Sequence, residues 1–408
     1  MIFYIMPEKK SIAIQKIVDD DVKSAIFASL DLINAKKIMK ENMTIILKPN
    51  ILGAKPPERA VTTHPEVLRG VIHWLKQFNP KEIIVAESSG GQKPGTTENA
   101  MKKCLISQTC EDEDVKCIPF EKTERIIYQV ENPLVMTEFS SSHLLKDADL
   151  IINLPKIKTH GQCTLTCCIK NMFGTVLLGN KPKTHARFPT VGKFMAALTD
   201  IYSVSQPQLT IIDGYLCQEG NGPAGGDVVK LDLIIAGYDP VALERVVCEI
   251  IDFNYQDIKY IGYAEEKNLG STKLENIELL GETIEDVKRP FKPPKSRPVS
   301  VPLPQWLADY AGKAIFRAEV DFDPEKCRLC STCWSNCPTQ AITPPDKMEK
   351  GNIPSWDNEK CITCYCCAEL CPYEAVDFKI NYVKNVLFSW CGVFLIALLL
   401  FIILLIAL

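Results

Sequence analysis

CRLCSTCWSNCP (327–338) and CITCYCCAELCP (361–372) are two copies of one pattern, Cys-x2-Cys-x2-Cys-x3-Cys-Pro. This is the bacterial two-cluster ferredoxin spacing. Three closely spaced thiolates on a tight loop bind three irons of a cubane, and the fourth comes from the other run. The spacing therefore predicts one [4Fe–4S] cluster on Cys327, Cys330, Cys333 and Cys371, and a second on Cys361, Cys364, Cys367 and Cys337. Zinc ribbons use two paired CxxC knuckles instead. Cys366 falls outside the pattern and reads as a small buried residue. The 23 residues between Cys337 and Cys361 imply an inserted loop. Clusters paired in this way point to one-electron transfer.

Outward from these runs, nine of the 18 cysteines fall within 45 residues, which points to metal thiolates and a reducing compartment. The 408 residues suit two or three domains. With 24% charged and 46% hydrophobic residues the composition is globular. A net charge of -4 leaves no basic field for nucleic acid. No secretory signal is visible at the start. VLFSWCGVFLIALLLFIILLIAL (386–408) holds 23 residues without a charge. As a helix it would be about 34 Å long, enough to cross a bilayer. The expectation is a single-pass C-terminal transmembrane helix that anchors the chain in the cell membrane. Lys379 and Lys384 precede it, so the remaining domains are expected in the cytoplasm.

Toward the N-terminus, short apolar runs alternate with amphipathic segments. Strands are expected at 11–17, 44–50, 81–88, 149–155, 209–215 and 231–237, and helices at 21–39 and 239–253. A further helix should begin at a Thr63/Glu66 capping box, with Pro65 in its first turn. The alternation predicts an α/β domain with a largely parallel sheet over 1–287. Residues 288–304 carry six prolines and five basic residues and read as a stiff linker, or as a strip resting on anionic headgroups. An amphipathic helix (305–319), a small α+β bacterial-type ferredoxin domain (320–380) and the transmembrane segment (386–408) complete the expected order.

Several segments of the first domain resemble the DUF362 family: LKPNILG (47–53), THPEVLRGVI (63–72), DLIINLPKIKTHGQCTLTCCIKNMFG (149–174), IIDGYLCQEGNGPAGG (211–226) and AGYDPVALERVV (236–247). The resemblance covers about residues 12–285. It implies the fusion to a two-cluster ferredoxin but no established reaction. A looser resemblance, to nickel-pincer lactate racemases, would place His160, Lys170 and His185 as cofactor ligands and tether. Cys167-Cys168-Ile169 depart from that family's glycine-rich sequence.

Asn50, His160, Lys170, Asn171, His185, Asp213, Glu219 and Asn221 all fall at or just after expected strand ends, where open α/β sheets bind ligands. His160 and Lys170 are the candidate proton-delivering pair, sharing a pocket with Asp213 or Glu219 on its far wall. Asn50, Asn171, His185 and Asn221 complete the expected binding set. Lys156 and Lys158 would hold an anionic small molecule or be solvated. His64 reads as a capping or surface residue, His73 as solvated, and His143 has no chemical neighbour. Cys163, Cys167 and Cys168 read as buried thiols. Gly220–Gly226 is followed by a strand and fails the dinucleotide fingerprint.

The expected function is a membrane-anchored redox protein. It would pass electrons between an unknown redox partner and a ligand in the first domain, whose further cofactor stays open. A non-catalytic electron-transfer or scaffold subunit is the alternative, so enzymatic activity stays open as well.

Overall fold

The computed structural model describes residues 10–295 and 318–380. Sixteen strands are numbered in chain order. In the first domain they are β1 (Lys10–Lys16), β2 (Thr44–Pro49), β3 (Glu82–Glu87), β4 (Lys116–Pro119), β5 (Arg125–Gln129), β6 (Glu138–Ser142), β7 (Leu150–Leu154), β8 (Lys156–His160), β9 (Thr164–Thr166), β10 (Leu209–Glu219), β11 (Asp227–Gly237) and β12 (Ile277–Gly281). The second has β13 (Ala318–Phe322), β14 (Ile342–Thr343), β15 (Ser355–Trp356) and β16 (Val376–Ile380).

The main sheet runs β12-β1-β11-β10-β7-β2-β3-β4, with β8 beside β10 and β9 beside β8. From β10 through β4 the neighbours on this path are parallel. β11 reverses against both β10 and β1. Alternate residues of each strand serve opposite faces. Ile45, Leu47, Ile83 and Val85 enter one core with the helices Val22–Leu32 and Pro65–Lys76. Ile46, Ile84 and Ala86 enter the other with the helices Val191–Val204 and Pro240–Ile251. Both faces are covered, which is why a strand such as LIINL is buried at every position, its one polar residue, Asn153, included.

Two helix ends differ from expectation. The helix expected over 21–39 stops at Leu32, and Asn34 turns left-handed. The Thr63/Glu66 capping box does not form. The Thr63 hydroxyl is buried, donating to the Leu154 carbonyl and accepting from the Asn50 N–H. His64 caps instead, its Nδ1 accepting from the Glu66 N–H. A buried hydroxyl joining two strand ends leaves nothing for the helix.

Residues 288–295 lie along the first domain. Arg289 and Phe291 N–H groups donate to the Ile250 and Ile251 carbonyls, and Phe291 is buried. The remainder of 288–304 and nearly all of the expected 305–319 helix lie outside the described residues, apart from Ala318 and Glu319, which open β13. So does the 386–408 segment. Among the described residues no helix is long and apolar enough to cross a membrane.

In the second domain β13 pairs with β16 and β14 with β15, both antiparallel. Each cysteine run leads into a short helix, Thr332–Ser335 or Cys366–Glu369. Leu329 and Ser331 take positive φ in the first run, and Thr363 and Tyr365 do so at the same offsets in the second. These left-handed residues curl each loop so that its three closely spaced thiols share one side.

Candidate functional site

A cleft with about 660 Å³ of space, the solvent at its open mouth included, lies at the carboxyl ends of β2 and β3, and the second domain walls one side of it. Its polar lining includes Asn50 after β2, Glu87 and Ser88 at the end of β3, Lys158 on β8, Lys170 and Asn171 on the helix Cys168–Asn171, and Lys181 and His185 on the helix Asn180–Arg187. Cys366, Glu369 and Leu370 of the second domain complete it.

At the floor Lys48 Nζ donates to Glu87, 2.6 Å away, with both side chains buried. Burial pulls Lys48 down and pushes Glu87 up, and their mutual attraction opposes both shifts. Gly174 lies over this pair. A Cβ there would come within 2.0 Å of Glu87 Oε1, so only glycine lets the backbone close the floor. Lys181 Nζ donates to the Ser88, Ser89 and Val176 carbonyls. Burial lowers its pKa to about 7, yet three acceptors account for all three ammonium protons. Lys158 is pulled well below the usual lysine range, first by burial and then by Lys170, and donates to the Val61 carbonyl.

Five lining groups face the space with capacity to spare, Thr166 Oγ1 and Glu369 Oε1 among them, both without a partner among the described residues. Asn50 Nδ2 donates to Asn171, whose Nδ2 donates to Asn153, leaving Asn50 Oδ1 without a partner among the described residues. His185 stacks on Phe194 with ring centroids 4.0 Å apart, and its Nδ1 is also partnerless. For Lys170 no hydrogen bond or ion pair occurs among the described residues. The Lys170 cation beside these four uncommitted polar atoms, one of them a carboxylate oxygen, suits a ligand carrying an anionic group together with hydrogen-bond donors.

Burial, then the Lys170 charge, pulls the His185 imidazole down to about 3. An unfolded histidine has an ordinary pKa near 6.5. This neutral ring therefore contributes stability that is complete above about pH 6.5 and falls by about 1.4 kcal/mol per unit below it. Between pH 7 and pH 5, urea unfolding of the iron-loaded wild type should lose about 2 kcal/mol more than His185→Asn does. Equal losses would mean that His185 is hydrated.

His160 does not line the space. Its Nδ1 accepts from the Gln162 and Cys163 N–H groups, so the ring proton sits on Nε2. Nε2 faces Glu369 Oε1 at 3.3 Å. Nδ1 is committed to two backbone N–H groups, and the protonated Nε2 makes no hydrogen bond to Glu369, whose Oε1 is without a partner among the described residues, so His160 offers no free nitrogen lone pair to a nickel ion beside Lys170. Asp213 stands apart as well. It contacts Lys156 at 2.5 Å and accepts from the His64 and Tyr215 N–H groups. Glu219 accepts from the Lys292 backbone and pairs with its ammonium, and Asn221 accepts from the Lys295 N–H. Asn50, Lys170, Asn171 and His185 are thus brought together, while Asp213, Glu219 and Asn221 go to separate partners. Glu87, Ser88, Lys181 and Glu369 are lining residues that sequence reasoning missed. The only sequence signal for Glu87 and Ser88 is their place at the end of β3.

In the second domain Cys333 lies near the Cys371, Cys330 and Cys327 thiols. Cys361 lies near Cys364 and Cys337. A second space, about 330 Å³, is lined by Cys337, Cys361, Cys364 and Cys367 amid Val320, Ile342 and Phe378. Four thiols around an apolar hollow match the donor set of an iron–sulfur cubane. Contacts between the domains hold this module against the first cavity. Lys55 and Arg59 pair with Glu374, and the Gln92 N–H donates to Asn336. Leu370 packs over Gly90, where a Cβ would lie 2.8 Å from it.

Comparison with known proteins agrees with this division. Residues 45–249 match the family described as a domain of unknown function, DUF362, and residues 326–375 match the 4Fe-4S dicluster domain. A thylakoid-associated protein of Synechocystis sp. is 29% identical over 274 residues, 66% of this chain and 82% of that protein. A crystal structure of a Thermotoga maritima protein covers 64% of this chain and 61% of its own at 12% identity, with a TM-score of 0.37. The lactate racemase apoprotein of Thermoanaerobacterium thermosaccharolyticum covers 58% and 56% at 14% identity, with a TM-score of 0.32. The chain spans less than two thirds of the length of either solved structure, and nothing about their chemistry transfers at that likeness. The chain belongs to the DUF362 family and carries an iron–sulfur domain of ferredoxin type.

Proposed function

We propose that the ferredoxin-type domain exchanges electrons, through two [4Fe–4S] clusters, with an anionic small molecule held in the cavity of the DUF362 domain. The observation that carries this is the shared wall. Cys366, Glu369 and Leu370 line the cavity, and they alternate along the chain with the proposed cluster ligands Cys364, Cys367 and Cys371. The proposed ligand sets are Cys327, Cys330, Cys333 and Cys371 for one cluster and Cys361, Cys364, Cys367 and Cys337 for the other. Lys170 would hold the anionic group and hand over a proton, with Asn50, Asn171 and His185 orienting the molecule. His160 reaches the cavity only through Glu369. An electron donor or acceptor protein meets the clusters from outside. The uncharged 386–408 stretch supports a membrane anchor with these domains on the cytoplasmic side, and the thylakoid association of the cyanobacterial relative points toward a membrane too.

The test is mass spectrometry of small molecules extracted from the full chain purified without oxygen. An anionic compound should accompany the wild type and be lost from Lys170→Met, with iron content equal in both. Identical extracts would reject the cavity as its site and favour a non-catalytic electron-transfer subunit.

A further inference from the structure

Behind the turn that carries Lys170, three buried side chains meet. The Cys167 and Cys168 sulfurs and a Glu244 carboxylate oxygen all lie within 4.8 Å of one another, in residues with no solvent exposure. Glu244 comes from the helix Pro240–Ile251, and the cysteines begin the helix Cys168–Asn171. We infer that Cys167, Cys168 and Glu244 form a binding site for a thiophilic divalent ion, zinc above all, separate from the iron–sulfur cysteines.

Three observations support this. The two sulfurs are 3.7 Å apart. A disulfide would bring them to about 2.05 Å. Two thiolates on one tetrahedral zinc, each about 2.3 Å from the metal, would stand about 3.8 Å apart. Second, Glu244 is incompletely used. One carboxylate oxygen accepts from the Ile169 N–H, and the other has no partner among the described residues. The Cys168 N–H and the Tyr260 hydroxyl also lie near the carboxyl, the hydroxyl donating to the Leu165 carbonyl 3.1 Å away. Third, Tyr202 Oη is also buried without a partner, close enough to Cys168 and Glu244 to be affected by their charges. A divalent ion held by the two sulfurs would give the spare Glu244 oxygen a partner. The Cys168 carbonyl accepts from Asn153, which also accepts from Asn171. An ion here would thus fix the turn that presents Lys170 and Asn171 to the cavity.

The full chain, purified without oxygen and fully loaded with iron, is dialysed with one equivalent of zinc and then against buffer. Elemental analysis should find about one zinc per chain, and zinc-edge X-ray absorption should find two sulfurs at about 2.3 Å. Cys168→Ser and the isosteric Glu244→Gln should each lower zinc at least tenfold with iron unchanged. Circular dichroism confirms folding, and either variant suffices if the other fails to fold. The inference is overturned if the iron-loaded wild type holds only trace zinc, if both variants keep it, or if zinc enters only as iron is lost. Recovery of a Cys167–Cys168 disulfide from the anaerobic protein would overturn it equally.

Discussion

Cys371→Ala protein, purified without oxygen, is expected to keep about four of the roughly eight irons of the wild type, and adding Cys327→Ala should remove no more. The reason is the crossing of ligands between the runs. Cys371 follows Cys361, Cys364 and Cys367 in the chain, yet it lies near Cys333. Cys337, from the first run, lines the hollow with Cys361, Cys364 and Cys367. Cys371 and Cys327 would therefore serve the same cluster, and deleting both should cost only that cluster. Cys371→Ala with Cys361→Ala should strip both. If each run instead held its own cluster, the outcomes would exchange. Iron and sulfide analysis of the double variants separates the two arrangements.

Asp213→Asn is expected to destabilise the iron-loaded protein by about 3–5 kcal/mol, the cost of removing one partner from a buried ion pair. Asp213 and Lys156 are both fully buried, and their charged atoms lie 2.5 Å apart. The carboxylate also accepts from two backbone N–H groups. Asparagine would leave the Lys156 ammonium in the core with no counter-charge. Adding Lys156→Met should restore part of the loss, because a well-packed apolar side chain removes the stranded charge. Urea midpoints of the two variants provide the check. Full stability in Asp213→Asn would mean that water reaches the pair.

The parts legible in the sequence were those whose causes are local. Cysteine spacing within each run reflects one loop around one cluster, and the apolar strands reflect a sheet covered on both faces. Asn50, Lys170, Asn171 and His185 were legible as cavity residues because elements that end at one sheet edge deliver them there. Asp213, Glu219 and Asn221 carried the same signal but have other partners. β10 continues from Leu209 through Asp213 to Glu219, and the lysines that satisfy the two acids come from β8 and from 288–295. Nothing near Asp213 in the chain announces Lys156, since the pairing arises only when β8 lies beside β10. Glu369 was hidden for a different reason. Within its own domain it is a polar residue between cysteines, and it becomes a cavity wall only when the two domains pack together.

The most direct test of electron exchange between the clusters and the cavity is a dithionite titration of the anaerobic full chain carrying its co-purified compound. Two clusters take up about two electrons, one each. The account predicts that the wild type consumes more than two equivalents and that the extracted compound changes mass accordingly, whereas Lys170→Met stops at two. A wild type that also stops at two, with the extracted compound unchanged, would contradict it.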